Sequence, residues 1–292
     1  MSTKDPLVSV CIPTYNGAAF IVEAIASALT QTYNSIEIII ADDGSTDNTL
    51  SIVQSLQKHI YVDYAIYSHD NLGIAENSNF CIQQAQGKYI KFLFQDDILL
   101  PNCLTEMVEL AETNEEIGLV FSPRDIFFAT GDHTHSDLIA IYQDFQNIHL
   151  AWSNLKSIQP GQYLLKDPNL FSHPINKIGE PSTVLIRRSV FETVGGFDPN
   201  LNQLVDLEMW FRIMKHYQVG FVNNSLSQFR LNRQQKTCKN ISENIDIDLN
   251  FYQKLYQNDY YQFLDPDIRH QSFLIYQGLL QEDFKSFKPR GI

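Results

Sequence analysis

Short apolar runs alternate with amphipathic stretches along the first third of the chain. The runs are rich in β-branched residues and stop at turn residues, as buried strands do. The stretches between them carry apolar side chains at the spacing of a helix. The predicted strands are 7–12, 36–41, 61–68 and 88–94, and the predicted helices are 18–29, 49–56 and one within 71–86. This alternation predicts right-handed crossovers and a mainly parallel sheet in an α/β fold.

The alternation fails in the middle of the chain and returns later. Residues 131–179 are polar and aromatic without a clear period, which predicts a long insertion. A strand is predicted at 181–187, and apolar positions at helical spacing predict a helix at 205–217. Apolar residues at roughly helical intervals predict two further helices within 241–284, packed on the core or on a partner.

Composition narrows the range of partners. The chain has 292 residues, of which 44% are hydrophobic, and this is enough for a sizeable core. Its 21 basic and 34 acidic residues give a net charge of −13, which argues against nucleic acid as the main partner. The four cysteines form no CxxC pair, so neither a zinc cage nor a disulfide framework is indicated, and a reducing compartment fits best.

The expected location follows from segments that this sequence lacks. No apolar run approaches the roughly 20 residues of a membrane span, and the N-terminus has no basic segment followed by an apolar one. We therefore expect a cytoplasmic protein, and peripheral contact with the inner face of the membrane stays open. The sequence leaves the oligomeric state open as well.

Two adjacent carboxylates follow the fourth predicted strand. The segment KYIKFLFQDDILLP places Asp96 and Asp97 directly after an apolar, aromatic run. The exit of a buried strand is where an open α/β sheet forms its ligand crevice, so the pair predicts a metal or diphosphate site. The alternative is an exposed strand-to-helix turn with an aspartate cap.

Polar loops also follow the first two predicted strands. Tyr15, in the segment PTYNG, can stack on a flat ring, and the alternative is a plain turn. Asp43, in the segment DDGSTD, can accept a hydrogen bond from a base or a ribose hydroxyl, and the same segment can cap a helix. The sequence contains neither a P-loop nor a GxGxxG motif. Because the first 100 residues contain no arginine, a diphosphate would need a divalent cation or later basic groups such as Arg230 and Arg233.

Six segments in a fixed order carry a family resemblance. They are VSVCIPTYNG, QTYNSIEIIIADDGSTD, NLGIAENSNF, AQGKYIKFLFQDD, GEPSTVLIRRSVFETVGGFD and DLEMWFR. Over about residues 7–235, the chain resembles the family 2 glycosyltransferases, inverting enzymes of the GT-A fold that use nucleotide sugars. The resemblance implies a GT-A-like α/β/α sandwich with a mainly parallel central sheet at 1–238. The tail after Ile241 lies outside the resemblance, and its apolar spacing predicts a C-terminal helical extension at 239–292. The resemblance assigns 1–125 to a nucleotide-binding half and 126–238 to an acceptor-binding half.

The resemblance also implies which residues contact the nucleotide. Pro13, Thr14 and Tyr15 match the family's first nucleotide-contacting loop, in which Tyr15 is expected to stack on the base. Asp43 matches the carboxylate expected to bind the base, commonly uracil. Asn79 falls where the family has an asparagine before its fourth strand, and it is a further expected nucleotide contact.

Metal binding and catalysis are assigned in the same way. Asp96 and Asp97 match the element that holds Mg²⁺ or Mn²⁺ against the diphosphate, and Asp96 is also an expected nucleotide contact. Asp206 matches the family's general base, which takes the proton of the acceptor hydroxyl. The residues expected to line the sugar and acceptor pocket are Glu180, Gly195, Gly196, Phe197, Glu208 and Trp210.

Four positions depart from the family pattern. Phe94 stands where the family's DxD element begins with aspartate, and Ser78 stands where arginine is frequent. Val205 replaces the glutamate before the general base, and Asn232 replaces a frequent histidine. The resemblance implies transfer of a hexosyl or N-acetylhexosaminyl group from a UDP-sugar to a hydroxyl of a glycan or glycoconjugate. The departures keep a second hypothesis open, a catalytically weak binding or scaffold subunit of a glycan-assembly complex.

Overall fold

Two β-sheets organise the part of the chain that the computed structural model describes, residues 5–58, 60–128, 145–231, 248–257 and 261–281. In chain order, the described strands are β1 (Val8–Thr14), β2 (Ile36–Asp42), β3 (Asp63–Ser68), β4 (Tyr89–Phe92), β5 (Ile98–Leu99), β6 (Ile117–Phe121), β7 (Arg124–Phe128), β8 (Ile158–Pro160), β9 (Val184–Arg187), β10 (Gln218–Phe221) and β11 (Ser227–Leu231).

The large sheet is mainly parallel. Its strand order is β3-β2-β1-β4-β9-β6-β10-β8. Strands β1 to β4 pair in parallel, and β6 and β10 run in the same direction. Only β9 and β8, among the described strands of this sheet, are antiparallel to their neighbours. The prediction of a mainly parallel α/β sheet is confirmed. The small sheet has the order β5-β11-β7, with β11 antiparallel to β5 and parallel to β7.

Helices cover both faces of the large sheet. In chain order, they are α1 (Ile21–Leu29), α2 (Thr49–Gln57), α3 (Ile74–Gln84), α4 (Cys103–Glu112), α5 (Gly161–Leu164), α6 (Val190–Val194), α7 (Val205–His216), α8 (Leu249–Gln257) and α9 (Pro266–Gln281). Buried residues of α1, α2 and α4 form one apolar cluster with the sheet, and those of α3, α7 and α8 belong to another. The result is the predicted α/β/α sandwich. Among the described residues, every helix is too short or too polar to cross a lipid bilayer.

The first strand shows why its apolar run is continuous. Val8, Val10 and Ile12 pack in the cluster that contains α1, whereas Cys11 packs in the cluster that contains α3. Side chains of a strand alternate between its two faces, so a strand covered by helices on both faces is apolar throughout. The unbroken apolar run of β1 therefore indicates that this sheet is the middle layer of the fold.

Some element boundaries differ from the predicted ones. Helix α1 begins at Ile21, because the Gly17 carbonyl accepts two N–H groups of the following turn at 3.0 Å each before the helix starts. The strand predicted before α6 opens with a 3₁₀ turn at Pro181–Thr183, since proline has no N–H group for a ladder. The described part of the irregular stretch, residues 145–179, contains β8 and α5.

The two helices predicted near the C-terminus pack on the core. Phe251 and Leu255 of α8 are buried in the cluster that contains α7, and α8 contacts α9. Just before α8, the Asp248 carboxylate accepts the N–H groups of three consecutive residues, 202–204, at 2.7 Å each. Asp248 therefore fixes the segment that leads into α7, from a position 44 residues after Leu204. A domain boundary at residue 239 stays a prediction.

Candidate active site

The loops after β1 and β2 are joined at the carboxyl edge of the large sheet. The Asn16 side chain accepts the Thr46 N–H group at 2.8 Å. The Gly17 N–H group donates to the Thr49 hydroxyl at 2.8 Å. Asn16 has a φ of 50°, a left-handed conformation that asparagine tolerates. These bonds fix the loop that carries Tyr15, whose side chain is 45% exposed.

Gln95 holds the same loop from the segment after β4. Its Oε1 atom accepts the Thr14 hydroxyl at 2.5 Å and the Tyr15 N–H group at 2.8 Å, and its Nε2 atom donates to the Tyr15 carbonyl at 3.0 Å. A Cβ atom at Gly17 would lie 2.3 Å from Gln95 Oε1, so a larger residue there would displace the Gln95 side chain from these bonds. Pro13 and Thr14 are the buried last residues of β1. The sequence prediction missed Gln95, the residue between Phe94 and the carboxylate pair.

We expect Gln95→Leu to raise the Kd of UDP, the nucleotide that the family resemblance implies, roughly tenfold. Three hydrogen bonds to the Tyr15 loop are lost, each with a net contribution of roughly 0.5–1.5 kcal/mol, and part of this loss appears in binding. Isothermal titration calorimetry with UDP measures it. Gln57→Leu is the matched control, since Gln57 is an exposed residue that donates to the Tyr64 carbonyl at 3.1 Å. Equal Kd values for the two variants would contradict the role of Gln95.

Asp43 is bound to the loop after β3. Its carboxylate accepts the N–H groups of Leu72 at 2.6 Å and Gly73 at 2.9 Å. The Nδ1 atom of His69 lies 3.5 Å from the same carboxylate. Asp43 is 3% exposed, and each of its carboxylate oxygens already accepts one donor. In this structure Asp43 shapes the loop, and its contact with a base stays a prediction.

Asn79 joins α3 to the loop before α7. Its Oδ1 atom accepts the Phe197 N–H group at 2.7 Å, and its Nδ2 atom donates to the Phe197 carbonyl at 2.9 Å. A Cβ atom at Gly196 would lie 2.3 Å from Asn79 Oδ1. Both hydrogen-bonding groups of the Asn79 side chain therefore contact the backbone of Phe197. Its predicted nucleotide contact is not tested by this arrangement and stays a prediction.

The two carboxylates after β4 have different environments. Asp96 is partly exposed, whereas Asp97 is 1% exposed. The Oδ1 atom of Asp97 accepts the Arg230 N–H group at 3.2 Å, and its Oδ2 atom is buried with no hydrogen-bond partner in the described part of the chain. Burial and the Asp96 charge raise the pKa of Asp97 well above its ordinary range. Arg233, a predicted diphosphate contact, lies outside the described residues.

Arg230 secures the backbone of the carboxylate pair. Its Nε atom donates to the Asp96 carbonyl at 2.9 Å, and its guanidinium is ion-paired with Glu23 of α1 at 2.5 Å. The guanidinium carbon lies 4.8 Å from the ring centre of Phe20 and 4.4 Å from that of Phe127. Arg230 is 4% exposed and therefore positions Asp96 in this structure. Its predicted diphosphate contact stays a prediction.

The candidate base lies in the first turn of α7. Asp206 is partly buried, with Oδ1 accepting the Leu207 N–H group at 2.8 Å and Oδ2 accepting Asn176 Nδ2 at 2.9 Å. Burial, together with the Glu180 charge, raises the pKa of Asp206 to about 7. Glu180 is held by Arg124 through two bonds of 2.8 and 3.0 Å. A carboxylate with a pKa near neutrality is suited to general base catalysis.

Glu180 connects the two groups of acidic residues. Its negative charge contributes to the raised pKa of Asp97 and to that of Asp206. The Ser182 hydroxyl accepts the Phe94 N–H group at 3.0 Å, and the Gly179 carbonyl accepts Trp210 Nε1 at 3.0 Å. The segment that carries Glu180 therefore links the end of β4 to α7, which lie far apart in the sequence.

Most of the other predicted pocket residues lie behind this site. Phe197, Trp210 and Glu208 are at most 4% exposed. The rings of Phe197 and Trp210 pack with centroids 6.3 Å apart, and Glu208 is ion-paired within α7. Gly195 and Gly196 are exposed in the loop that contains Phe197. In this structure the three buried side chains support the walls of the site, and direct contact with a sugar stays a prediction for all five.

The comparison with known families agrees with this arrangement. The family description "Glycosyl transferase family 2" matches residues 9–195. The chain belongs to glycosyl transferase family 2. An uncharacterized protein of Mycobacterium tuberculosis is 33% identical to this glycosyltransferase over 78% of this chain and 68% of its own length. TuaG of Bacillus subtilis, named for teichuronic acid biosynthesis, is 29% identical over 79% of this chain and 81% of its own length.

Solved structures show the same fold as this glycosyltransferase. Residues 1–349 of S. aureus TarS, in complex with UDP-GlcNAc, superpose with a TM-score of 0.63 at 15% identity over 96% of this chain and 73% of that chain. The mannosyltransferase PcManGT of Pyrobaculum calidifontis, in complex with GDP-Man and Mn²⁺, gives a TM-score of 0.64 at 16% identity. The match covers 95% of this chain and 75% of the PcManGT chain. This chain spans 43% of a longer TarS chain. The GT-A fold is therefore confirmed.

Proposed function

We propose that this glycosyltransferase moves a sugar from a UDP-sugar to a hydroxyl group of a glycan or glycoconjugate, with inversion at the anomeric carbon. One observation carries the proposal: the charge of Glu180 acts both on Asp206, which has a pKa of about 7, and on Asp97 after β4. The TarS complex with UDP-GlcNAc supports UDP as the nucleotide, and the name of TuaG supports a glycan acceptor.

The proposed reaction is a single displacement. The acceptor hydroxyl gives its proton to Asp206 while its oxygen forms a bond to the anomeric carbon, on the face opposite the leaving group. The bond from that carbon to the diphosphate oxygen breaks, and the nucleoside diphosphate leaves with the electron pair. Oδ1 of Asp206 accepts the Leu207 N–H group and Oδ2 accepts the Asn176 amide, and both oxygens keep acceptor capacity for the hydroxyl.

The residues after β4 fit a divalent cation of the Mg²⁺ or Mn²⁺ type. Asp97 has a buried oxygen that lacks a hydrogen-bond partner among the described residues, and burial and the Asp96 charge raise its pKa, so a cation beside the pair would favour its ionised form. Oxygen ligands suit both ions, and PcManGT was solved with Mn²⁺. Asp96 would hold the ion, with Asp97 behind it. The described residues contain no cluster of three or more His, Cys, Asp or Glu ligands, so the diphosphate and water would supply the remaining ones. When bound, the ion neutralises charge on the diphosphate.

We also place the reaction in a reducing, cytoplasmic compartment, with membrane contact through the acceptor as an open possibility. The described cysteines Cys11, Cys81 and Cys103 are free and buried, which supports this location. Nothing in the composition favours nucleic acid, since the chain carries a net charge of −13.

A panel of nucleotide sugars tests the proposal. The unfolding temperature is measured with UDP-, GDP- and dTDP-sugars in the presence of Mn²⁺, because a ligand that binds the folded state stabilises it according to its occupancy. We expect UDP-sugars to give the largest increase. The anomeric configuration of the product from the best donor is then read by NMR. Stabilisation by GDP-sugars alone would contradict the proposed nucleotide, and a product with retained configuration would contradict the single displacement.

A further inference from the structure

Asn176 uses every hydrogen-bonding position of its side chain. Its Nδ2 atom donates to Asp206 Oδ2 at 2.9 Å and to the Gly179 carbonyl at 3.0 Å. Its Oδ1 atom accepts the N–H groups of Ile178 at 3.2 Å and Gly179 at 3.0 Å. The residue lies in the stretch where the sequence showed no period, and no motif pointed to it.

These four contacts fix the orientation of the amide. A rotation by 180° would place Oδ1 against the Asp206 carboxylate and the Gly179 carbonyl, and it would turn the NH₂ group toward two N–H donors. Four favourable contacts would become four repulsive ones. The side chain therefore donates to Asp206.

Lys177 anchors the segment around Asn176 through buried hydrogen bonds. The Lys177 ammonium donates to the carbonyls of Leu170 at 3.0 Å, Ser172 at 2.8 Å and Pro174 at 2.9 Å. It also lies 5.6 Å from the ring centre of Trp152, and Lys177 is 1% exposed. A buried ammonium with three carbonyl acceptors holds the loop in one conformation. Asn176 is thus presented to α7 by a fixed turn.

We infer that Asn176 is the positioning residue of the general base: its amide holds the Asp206 carboxylate in one orientation and stabilises its ionised form. The inference rests on the proposed function, because it concerns the base of that reaction. A donor to a carboxylate stabilises the negative form, whereas a neighbouring negative charge destabilises it. At Asp206 the donors are the Asn176 amide and the backbone N–H groups of Leu207 and of Asp206 itself, and the opposing charge is Glu180, which is paired with Arg124.

Two variants of Asn176 test the inference through the pH dependence of kcat. Asn176→Ala removes the donor, and we expect the acidic limb of the profile to move up by about 1 pH unit, from the typical strength of a hydrogen bond to a charged group. Asn176→Asp keeps an oxygen for the Ile178 and Gly179 N–H groups but places a second carboxylate beside Asp206. We expect this variant to move the limb further upward, because two adjacent carboxylates titrate as a pair. The KM for the donor should change less than twofold in both.

Asn224→Ala is the matched control. Asn224 also donates its side-chain NH₂ to a carboxylate, Glu106, at 2.7 Å, but Asn224 is exposed, and Glu106 belongs to α4, whose buried residues pack in the apolar cluster opposite that of α7. We expect its pH profile to match that of the wild type. A role of Asn176 in folding alone would lower the unfolding temperature or kcat at every pH and leave the acidic limb in place.

The outcomes separate this inference from the proposed function. An active wild type that loses turnover in Asp206→Asn, together with unshifted acidic limbs in both Asn176 variants, overturns the inference alone. If Asn176→Ala does not fold, Asn176→Asp decides the question in the same way. If the wild type transfers no sugar, or Asp206→Asn keeps full turnover, the proposed function fails and the inference fails with it.

Discussion

Asp206→Asn is expected to lower kcat by roughly 10²- to 10⁴-fold, the usual contribution of a general base, while the Kd of the donor stays within twofold of the wild type. The variant keeps an oxygen for the Leu207 N–H group and changes little in size, so α7 retains its start. Turnover is measured by release of the nucleoside diphosphate, and donor binding is measured by calorimetry. A scaffold subunit would have no turnover to lose, and that result would favour the second hypothesis raised by Phe94 and Val205.

The pH dependence of kcat tests the role of Asp206 independently. The base must be ionised, and burial raises its pKa to about 7, so kcat of the wild type should fall about tenfold per pH unit below that value. Asp63→Asn is the control, since Asp63 is an exposed carboxylate at the start of β3, on the opposite edge of the sheet. A profile that stays flat from pH 5 to pH 9 in the wild type would contradict the role of Asp206.

The pH dependence of folding stability should reflect the same raised pKa of Asp206. The pKa of Asp206 is higher in the folded protein than the ordinary value of 3.8, so the folded state binds more protons between pH 3.8 and about 7. The favourable contribution is complete below pH 3.8 and is lost as the pH rises through about 7. Asp206→Asn removes this dependence. We therefore expect the unfolding temperature of the variant, relative to the wild type, to increase from acidic pH to pH 8.

Removal of divalent cations is expected to produce the second large loss of transfer activity. Dialysis against EDTA should lower the transfer rate by roughly 10²-fold or more, because a bound ion contributes several kcal/mol to the stabilisation of developing charge. Addition of Mn²⁺ should restore the rate. Full activity in EDTA would contradict the metal role of Asp96 and Asp97, and it would leave the diphosphate charge to side chains from later in the chain.

Separate variants of the carboxylate pair make this test sharper. Asp96→Asn should raise the Mn²⁺ concentration for half-maximal activity by at least about tenfold, since it removes a charged ligand from a site with few protein ligands. Asp97→Asn should have a smaller effect on this concentration, because its side chain is 1% exposed and its Oδ1 atom accepts a backbone N–H group. The Asp63→Asn variant again serves as control. Equal shifts for Asp96 and Asp97 would show that both bind the ion directly.

The sequence predicted those parts of the fold that depend on local patterns. The continuous apolar runs of β1, β2 and β4 follow directly from coverage by helices on both faces, and the helix spacing predicted α7 within one residue at its C-terminal end. The antiparallel direction of β9 was not predicted. The direction depends on which strands flank it, β4 and β6, and these lie far from it in the sequence.

The sequence likewise indicated some of the site residues and missed others. The family pattern indicated Asp206 and the carboxylate pair, but it did not separate partly exposed Asp96 from buried Asp97. That difference depends on β11, which places the Arg230 backbone N–H group beside Asp97. Gln95 and Asn176 were missed. Their roles come from hydrogen bonds to Tyr15 and Asp206 across the fold, and an amide side chain carries no mark of such a partner in the sequence.

The hydrogen bonds from residues 202–204 to Asp248 tie the start of α7 to a segment that is synthesised late. Strands β1 to β4 and the loops around Tyr15 and Asp96 leave the ribosome early, whereas the segment that leads into the helix of Asp206 gains this acceptor only after Asp248 has been synthesised. A chain truncated before Asp248 would therefore keep the residues of the first four strands and lose three hydrogen bonds beside the helix of Asp206.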